Sequence, residues 1–279
     1  FKQFIDDPWM LGKIAVNHAL NDVFAMGASP KSALAIVGLP LSVPKLMKND
    51  MSLLMRGASE GLAENRTVLV GGHTNEADEI NIGFSAYGEV EERALIRKTG
   101  AVDGDLIIMT RPLGSGVLFA GAMKGLTKGR WISTTLQEMT QSNANASNIF
   151  AECGATSLTD ITGFGLVGHL SEMIRGSGEG ATIFIEKLPF YDGALLLAKL
   201  GIESTLKPEN IKINHIATDK IKASTKYQVC FDPQTAGGLL ATVSAQAADT
   251  CLNNLIEAGY IKAAIIGQIS NLSGELRIC

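Results

Sequence analysis

Leu158-Thr-Asp-Ile-Thr-Gly-Phe-Gly-Leu-Val-Gly-His169 decides how this chain is read. Its order is strand end, glycine turn, helix start, with Asp160 just ahead of the turn. Glycines let a backbone approach a ligand and bare its N–H groups to anions. A carboxylate at the rim of such a turn repels phosphate unless a divalent cation sits between them. Magnesium is held in this way, by one or two carboxylates plus substrate phosphates. The stretch therefore points to a metal-bridged nucleotide. It also contains a formal G-x-G-x-x-G (Gly163, Gly165, Gly168), so a dinucleotide fingerprint is the competing reading. Against that reading, Asp160 would face the pyrophosphate and the strand before the turn is short. In its favour, Glu186 lies near the expected ribose-binding distance.

Working outward, strands and helices mix along the whole chain, so the class is α/β or α+β. At 279 residues two domains are expected, and the charged, turn-rich segment Glu91–Asp105 is the expected boundary, giving units 1–95 and 96–279. Glycine is over-represented, at 30 of 279 residues, where about 7% is usual. A net charge of −4 offers no basic field for nucleic acid. No apolar run approaches a membrane span, and no signal peptide opens the chain. Cys153, Cys230, Cys251 and Cys279 show no zinc spacing and read as reduced thiols of a cytoplasmic protein.

Periodicity predicts a helix over Pro8–Met26, a strand over Ala33–Leu39 and a helix from an Asp50 cap to Glu64. Thr67–Val70 reads as a buried strand ending in a Gly71-Gly72 turn, and Ile80–Glu91 as a long strand. In the second unit, strands are expected at Leu106–Thr110, Thr156–Leu158, Thr182–Ile185, Gln228–Phe231, Gly238–Val243 and Ala263–Ile269. Helices are expected at Gly114–Lys124, Thr134–Cys153, Leu166–Arg175, Asp192–Leu200 and Ala245–Gly259. Ile202–Tyr227 reads as a long irregular surface excursion.

Four further segments could carry chemistry. On the first helix, Asn17 and Asn21 share a face, as do His18 and Asp22. That is either a solvated face or a set of groups for a cation or a ribose hydroxyl. Gly71-Gly72-His73-Thr74 is either an anion nest or an ordinary turn. Arg111-Pro-Leu-Gly-Ser-Gly116 reads as a turn that could bind an anion. Asp232-Pro-Gln-Thr-Ala-Gly-Gly238 reads as structural turn chemistry. Composition and spacing lead to a magnesium–nucleotide site and no further.

Taken together, the segments resemble one family, the selenophosphate synthetases (selenide, water dikinases). The matching stretches are Asp6-Asp-Pro-Trp-Met-Leu-Gly-Lys-Ile-Ala15, Asn17-His-Ala-Leu-Asn-Asp-Val-Phe-Ala-Met-Gly-Ala28, Gly71-Gly-His-Thr74, Arg111-Pro-Leu-Gly-Ser-Gly-Val-Leu-Phe-Ala120, Thr159-Asp-Ile-Thr-Gly-Phe-Gly-Leu-Val-Gly-His-Leu170 and Asp232-Pro-Gln-Thr-Ala-Gly-Gly-Leu-Leu240. They fall in the family's order and cover nearly the whole chain.

The resemblance implies the two-domain aminoimidazole ribonucleotide synthetase-like fold, with the N-terminal sheets of two chains closing a barrel in a homodimer. It implies ATP and Mg²⁺ as cofactors and selenide as substrate, giving selenophosphate, AMP and phosphate. Carried over by motif, Asp22 and Asp160 are metal ligands. Asp22, Gly72, His73 and Thr74 contact the nucleotide, the last three from the partner chain in one arrangement.

The family places a glycine-rich segment with a reactive Cys or selenocysteine and a Lys, and further Asp residues, ahead of Phe1. A truncated head, weak nucleotide binding and no assignable catalytic residue are the expectations that follow. Phe1-Lys-Gln-Phe-Ile reads as a strand end. Lys128-Gly-Arg-Trp131 and Gly201–Lys226 resemble the branch fused behind a flavin-dependent dehydrogenase domain. The alternatives are another ATP-using kinase or synthetase of the superfamily, a catalytically silent nucleotide-binding scaffold, and an NAD-binding protein built on Gly163–Gly168.

Overall fold

A computed structural model describes residues 2–279; Phe1 and its part in the expected opening strand lie outside the described residues. The first unit runs α1 (Pro8–Phe24), β1 (Ser29–Leu39), α2 (Pro44–Glu64), β2 (Val68–Glu76) and β3 (Asn81–Glu89). Then come β4 (Leu106–Met109), α3 (Ser115–Met123), α4 (Gly129–Met139), α5 (Ala144–Glu152), β5 (Ser157–Asp160), α6 (Gly165–Ser177) and β6 (Gly180–Ile183). The chain finishes with α7 (Ala194–Lys199), α8 (Lys207–Asn210), β7 (Ile216–Ala217), α9 (Asp219–Lys222), α10 (Thr225–Val229), β8 (Leu239–Val243), α11 (Ala245–Glu257), β9 (Ala264–Ser270) and β10 (Leu276–Ile278).

Among the described residues the strands form two sheets, ordered β2-β1-β3 and β5-β8-β4-β9-β6-β10-β7. In the first, β2 runs parallel and β3 antiparallel to β1. Ahead of α1, Lys2 bridges to Asn81 and the Gln3 N–H donates to the Ile80 carbonyl at 2.8 Å. In the larger sheet, β5, β8, β4, β9 and β6 alternate in direction.

α1 starts where its sequence says it should. Asp7 caps it, accepting from the Met10 N–H at 3.1 Å, and Pro8 occupies the first turn. It packs on α2 backbone to backbone. A Cβ at Gly12 would sit 2.0 Å from the Leu54 carbonyl oxygen, and one at Gly57 would sit 1.8 Å from that of Trp9. Only glycine allows that approach.

The opposite face of α1 joins the two units. Val16, Leu20 and Phe24 share one buried cluster with Ile108 of β4, Leu158 of β5 and Ala241 of β8. Side chains alternate across the sheet, so Ile107 and Met109 enter a second cluster beneath α6 with Leu166, Leu170 and Met173. Both faces of the larger sheet are covered, which explains why β8 is buried at every residue.

Several elements depart from expectation. α2 begins at Pro44, not at Asp50, because proline's fixed φ suits the first helical position. The expected helix Thr134–Cys153 is two helices broken around Thr140–Asn143. Gln228–Phe231 is the end of α10 and a turn, not a strand, and α6 runs past the expected Arg175 to close at Gly178. The excursion after Ile202 holds three short helices and β7. β10, unforeseen in the sequence, pairs in parallel with β6 and β7.

Candidate active site

β5 ends in Asp160, which is 7% exposed, and pairs antiparallel with β8 so that Asp160 lies opposite Leu239. Leaving the strand, the Ile161 N–H donates to the Gly238 carbonyl at 2.9 Å. The chain then turns through Thr162, Gly163 and Phe164 into α6. Gly165, the first residue of α6, has φ +67°, and a Cβ there would lie 2.9 Å from the Phe231 carbonyl carbon. The glycine is therefore required by backbone conformation and close approach together.

His169, one turn into α6, holds the loop from inside. The Thr162 N–H donates to His169 Nε2 at 3.0 Å. Accepting there places the neutral ring's proton on Nδ1. Burial first, and the Lys98 charge second, push the imidazole down to about 4, so the ring is neutral near pH 7. Asn210 holds the loop from the other side, donating from Nδ2 to the carbonyls of Gly163 (2.9 Å) and Phe231 (3.0 Å).

The Asp232–Gly238 turn forms the facing wall. Asp232 Oδ2 accepts from the Val117 N–H at 3.0 Å, at the start of α3. Burial pushes its carboxyl up to about 6. Gln234 Oε1 accepts from the N–H groups of Gly114 and Ser115 at 3.1 and 3.2 Å, and from Ser115 Oγ at 3.0 Å. The glycine loop Arg111–Gly116 is thus spent on the turn rather than offered to an anion. The Arg111 guanidinium donates to the carbonyls of Ala236 (2.8 Å), Gly237 (3.3 Å) and Gln141.

The polar residues of α1 meet this turn. His18 Nδ1 accepts from the Ala236 N–H at 3.3 Å. Asn21 Nδ2 donates to the Gly237 carbonyl at 3.0 Å, and Asn143 Nδ2 donates to the same carbonyl at 3.1 Å. Asn17 reaches the Met139 carbonyl at 3.1 Å. Of the paired carboxamides expected to bind a cation or ribose, Asn17 and Asn21 are buried structural donors. Asp22, next along the helix, is exposed.

Asp160 lies within the electrostatic reach of Asp22. Burial first, and the Asp22 charge second, push the Asp160 carboxyl up to about 7. Neither carboxylate joins an ion pair among the described residues. A buried carboxylate whose ionisation is opposed by a second acid is what a cation site looks like before the cation binds. A cleft of about 410 Å³ is lined by His18, Gly116, Thr162, Gly163, Gln234 and Thr235 among others, with Thr162 two residues past Asp160; neither carboxylate itself lines it.

Gly72, His73 and Thr74 lie elsewhere. The expected turn does not exist: β2 runs on through Gly71 to Glu76, pairing Gly72 with Ala35, His73 with Ile36 and Thr74 with Val37. These residues line a separate groove of about 210 Å³ with Met51 and Met55 of α2. That groove shares no lining residue with the cleft.

The dinucleotide reading fails on topology. A dinucleotide fold needs adjacent parallel strands joined through the glycine turn. Here β5 is an edge strand paired antiparallel, and β6, which follows α6, is not its neighbour. Gly168 lies inside α6, and Glu186 is paired with Lys226. Asn143, Asn210 and Gln234 build the site as well, by bonds between distant segments. Only the Asp-Pro-Gln-Thr motif around Gln234 carried a sequence signal.

Comparison with known proteins gives the same architecture. Residues 1–90 match the N-terminal domain of AIR synthase related proteins, and residues 102–277 match their C-terminal domain. The hydrogenase maturation protein HypE in complex with ATP superposes with a TM-score of 0.76 at 18% identity, over 96% of this chain and 75% of that one. Thiamine monophosphate kinase from Aquifex aeolicus gives 0.72 at 19% identity, over 99% of this chain and 82% of that one. These two share the fold.

Sequence similarity narrows the class. The selenide, water dikinase of Pelobacter propionicus is 34% identical over 96% of this chain and 77% of its own length. That of Paraburkholderia xenovorans is 35% identical over 100% and 78%. The chain belongs to the selenide, water dikinase family and is an enzyme of the kinase type. No helix among the described residues is long and apolar enough to cross a membrane.

Proposed function

We propose that this chain binds ATP with Mg²⁺ in the cleft beside Asp160 and forms selenophosphate from selenide and water, releasing AMP and phosphate. The observation that carries this reading is the buried carboxylate of Asp160 at the glycine turn, with the charge of Asp22 from the other unit acting on it. The metal fits these residues: a buried carboxylate raised to about 7 beside a second acid, with no ion pair for either, favours binding a divalent cation. Bound there, Mg²⁺ would offset the phosphate charge that phosphoryl transfer must neutralise.

The chain's own residues supply alignment. Phosphoryl transfer asks for positioning and electrostatics more than for covalent chemistry. His169 and Asn210 fix the Thr162–Gly163 loop against the buried end of β5. Gln234 and the three carboxamide and guanidinium donors on Ala236 and Gly237 fix the opposite wall. His18, whose pKa burial lowers, adds no positive charge near Asp22. No catalytic residue is assigned.

The domain division proposed is 1–95, carrying dimerisation and part of the nucleotide surface, and 96–279. Leu34, Ile36, Val68 and Val70 are exposed on the three-stranded sheet, at 46, 54, 61 and 60%. We infer that a second copy of the chain covers this face and closes the barrel. Gly72, His73 and Thr74 would then meet nucleotide bound to the partner. A cytoplasmic setting suits free thiols at Cys153, Cys230, Cys251 and Cys279.

Calorimetry of ATP binding with and without Mg²⁺, together with selenide-dependent AMP release, tests the proposal. ATP affinity indifferent to EDTA overturns the metal-bridged site. Metal-dependent ATP binding with no selenide-dependent AMP release leaves a nucleotide-binding scaffold instead of a synthetase.

A further inference from the structure

A second cavity, of about 480 Å³, backs on the same turn and shares no lining residue with the cleft. That volume is within the range of small-molecule sites. It opens between the end of α4 and the Gly259–Lys262 link that joins α11 to β9. Arg111 is its deepest charged group, at 2% exposure. The two terminal nitrogens of the guanidinium donate to carbonyls of Ala236, Gly237 and Gln141, while its Nε–H has no partner. Among the described residues Arg111 joins no ion pair, and neither does Lys262, which is exposed at the rim. A buried guanidinium resting only on carbonyl dipoles, with a spare donor, lacks an anionic acceptor.

One carboxylate completes the lining. Glu138 on α4 is half-buried, hydrogen-bonded with Tyr191 and within the fields of Arg111, Lys262 and Asp192. A simple anion placed against Arg111 and Lys262 would bring like charge toward Glu138. A simple amine against Glu138 would leave the Arg111 donor unmet. The neutral donors Gln137, Gln141 and Thr134 add hydrogen-bonding capacity between the charges.

We propose that this cavity binds a small zwitterion, its carboxylate on Arg111 and Lys262 and its ammonium on Glu138, the chemistry of a free α-amino acid. Each charged group of the lining then meets its opposite.

The test is titration of the whole chain with serine by calorimetry, beside acetate, ethanolamine and inorganic phosphate. Saturable serine binding is expected, with acetate and ethanolamine at least about tenfold weaker. Glu138→Gln and Lys262→Gln should each weaken serine by about tenfold or more. Lys262 is a surface side chain, so its variant keeps the fold if Glu138→Gln does not. The proposal is overturned by no saturable serine binding at millimolar concentrations. It is equally overturned by affinity unchanged in the folded variants, or by acetate, ethanolamine or phosphate binding as tightly as serine.

Discussion

Burial first, and the charge of Asp22 on α1 second, raise the carboxyl pKa of Asp160 at the end of β5, although the two acids belong to different units and lie far apart in the sequence. An arrangement that costs free energy in the empty protein is expected where a cation binds. Replacing Asp160 should therefore act in opposite directions on stability and on binding. Asp160→Asn removes a buried charge and is expected to stabilise the metal-free chain near pH 8 by about 1–3 kcal/mol. The same change is expected to weaken Mg²⁺-dependent ATP binding by at least about tenfold. Thermal melts without metal and calorimetry with it read the two effects. A variant that melts lower and binds ATP as well as the parent removes the basis of the site.

His169 gives a separate pH signature. Its pKa is lowered, so folding stability from the neutral ring is fully present above about 6.5, the ordinary value. That stability is lost as pH falls toward about 4, because the unfolded chain takes up the proton first. His169→Gln keeps an acceptor for the Thr162 N–H but cannot titrate. The stability gap between parent and variant should narrow by about 2–3 kcal/mol between pH ~7.5 and ~4.5. Asp160 and Asp232 titrate in both proteins, so the difference isolates the imidazole. A gap constant with pH, in denaturant titrations across that range, would show that the ring is not held neutral by burial.

The glycines of the opening motif are not equivalent. A Cβ at Gly165 would lie 2.9 Å from the Phe231 carbonyl carbon at φ +67°, whereas the nearest heavy atom to a Cβ at Gly163 is 4.0 Å away. Gly165→Ala should cost about 1–3 kcal/mol or more. Gly163→Ala should leave the melting temperature nearly unchanged and report, through ATP affinity alone, on how closely a ligand approaches that residue. Equal destabilisation by the two would contradict this geometry.

What the sequence made legible follows from how local each cause is. The start of α1 is legible in Pro8 and the Asp160 loop in its glycines and carboxylate, whereas α1 stops at Phe24, short of the expected Met26. The expectation that Asp22 and Asp160 share a cation rests on motif resemblance and on the repulsion that a lone carboxylate at a phosphate turn would suffer. Non-local causes left no local trace. Gly71-Gly72 looked like a turn, yet backbone pairing with β1 carries β2 straight through it. The helix expected over Thr134–Cys153 breaks where Asn143 turns inward, donating to Asn21 Oδ1 at 2.8 Å, which no pattern within the segment announces. Ala236 adopts φ +44° because its carbonyl and N–H are held by Arg111 and His18.

The excursion after Ile202 looked like polar surface, and its short helices are indeed half exposed. Asn210 is the exception, at 6% exposure, and its two bonds tie the Gly163 and Phe231 carbonyls together. Removing the amide leaves the buried Phe231 carbonyl and the part-buried Gly163 carbonyl short of a donor, which costs about 1–3 kcal/mol. Asn210→Ala should therefore lower the melting temperature by several degrees. It should also weaken Mg²⁺-dependent ATP binding, because the loop between Asp160 and α6 loses its outer support. If Asn210→Ala lowers stability yet leaves ATP affinity untouched, the excursion is a buttress for the core alone and has no part in shaping the nucleotide cleft.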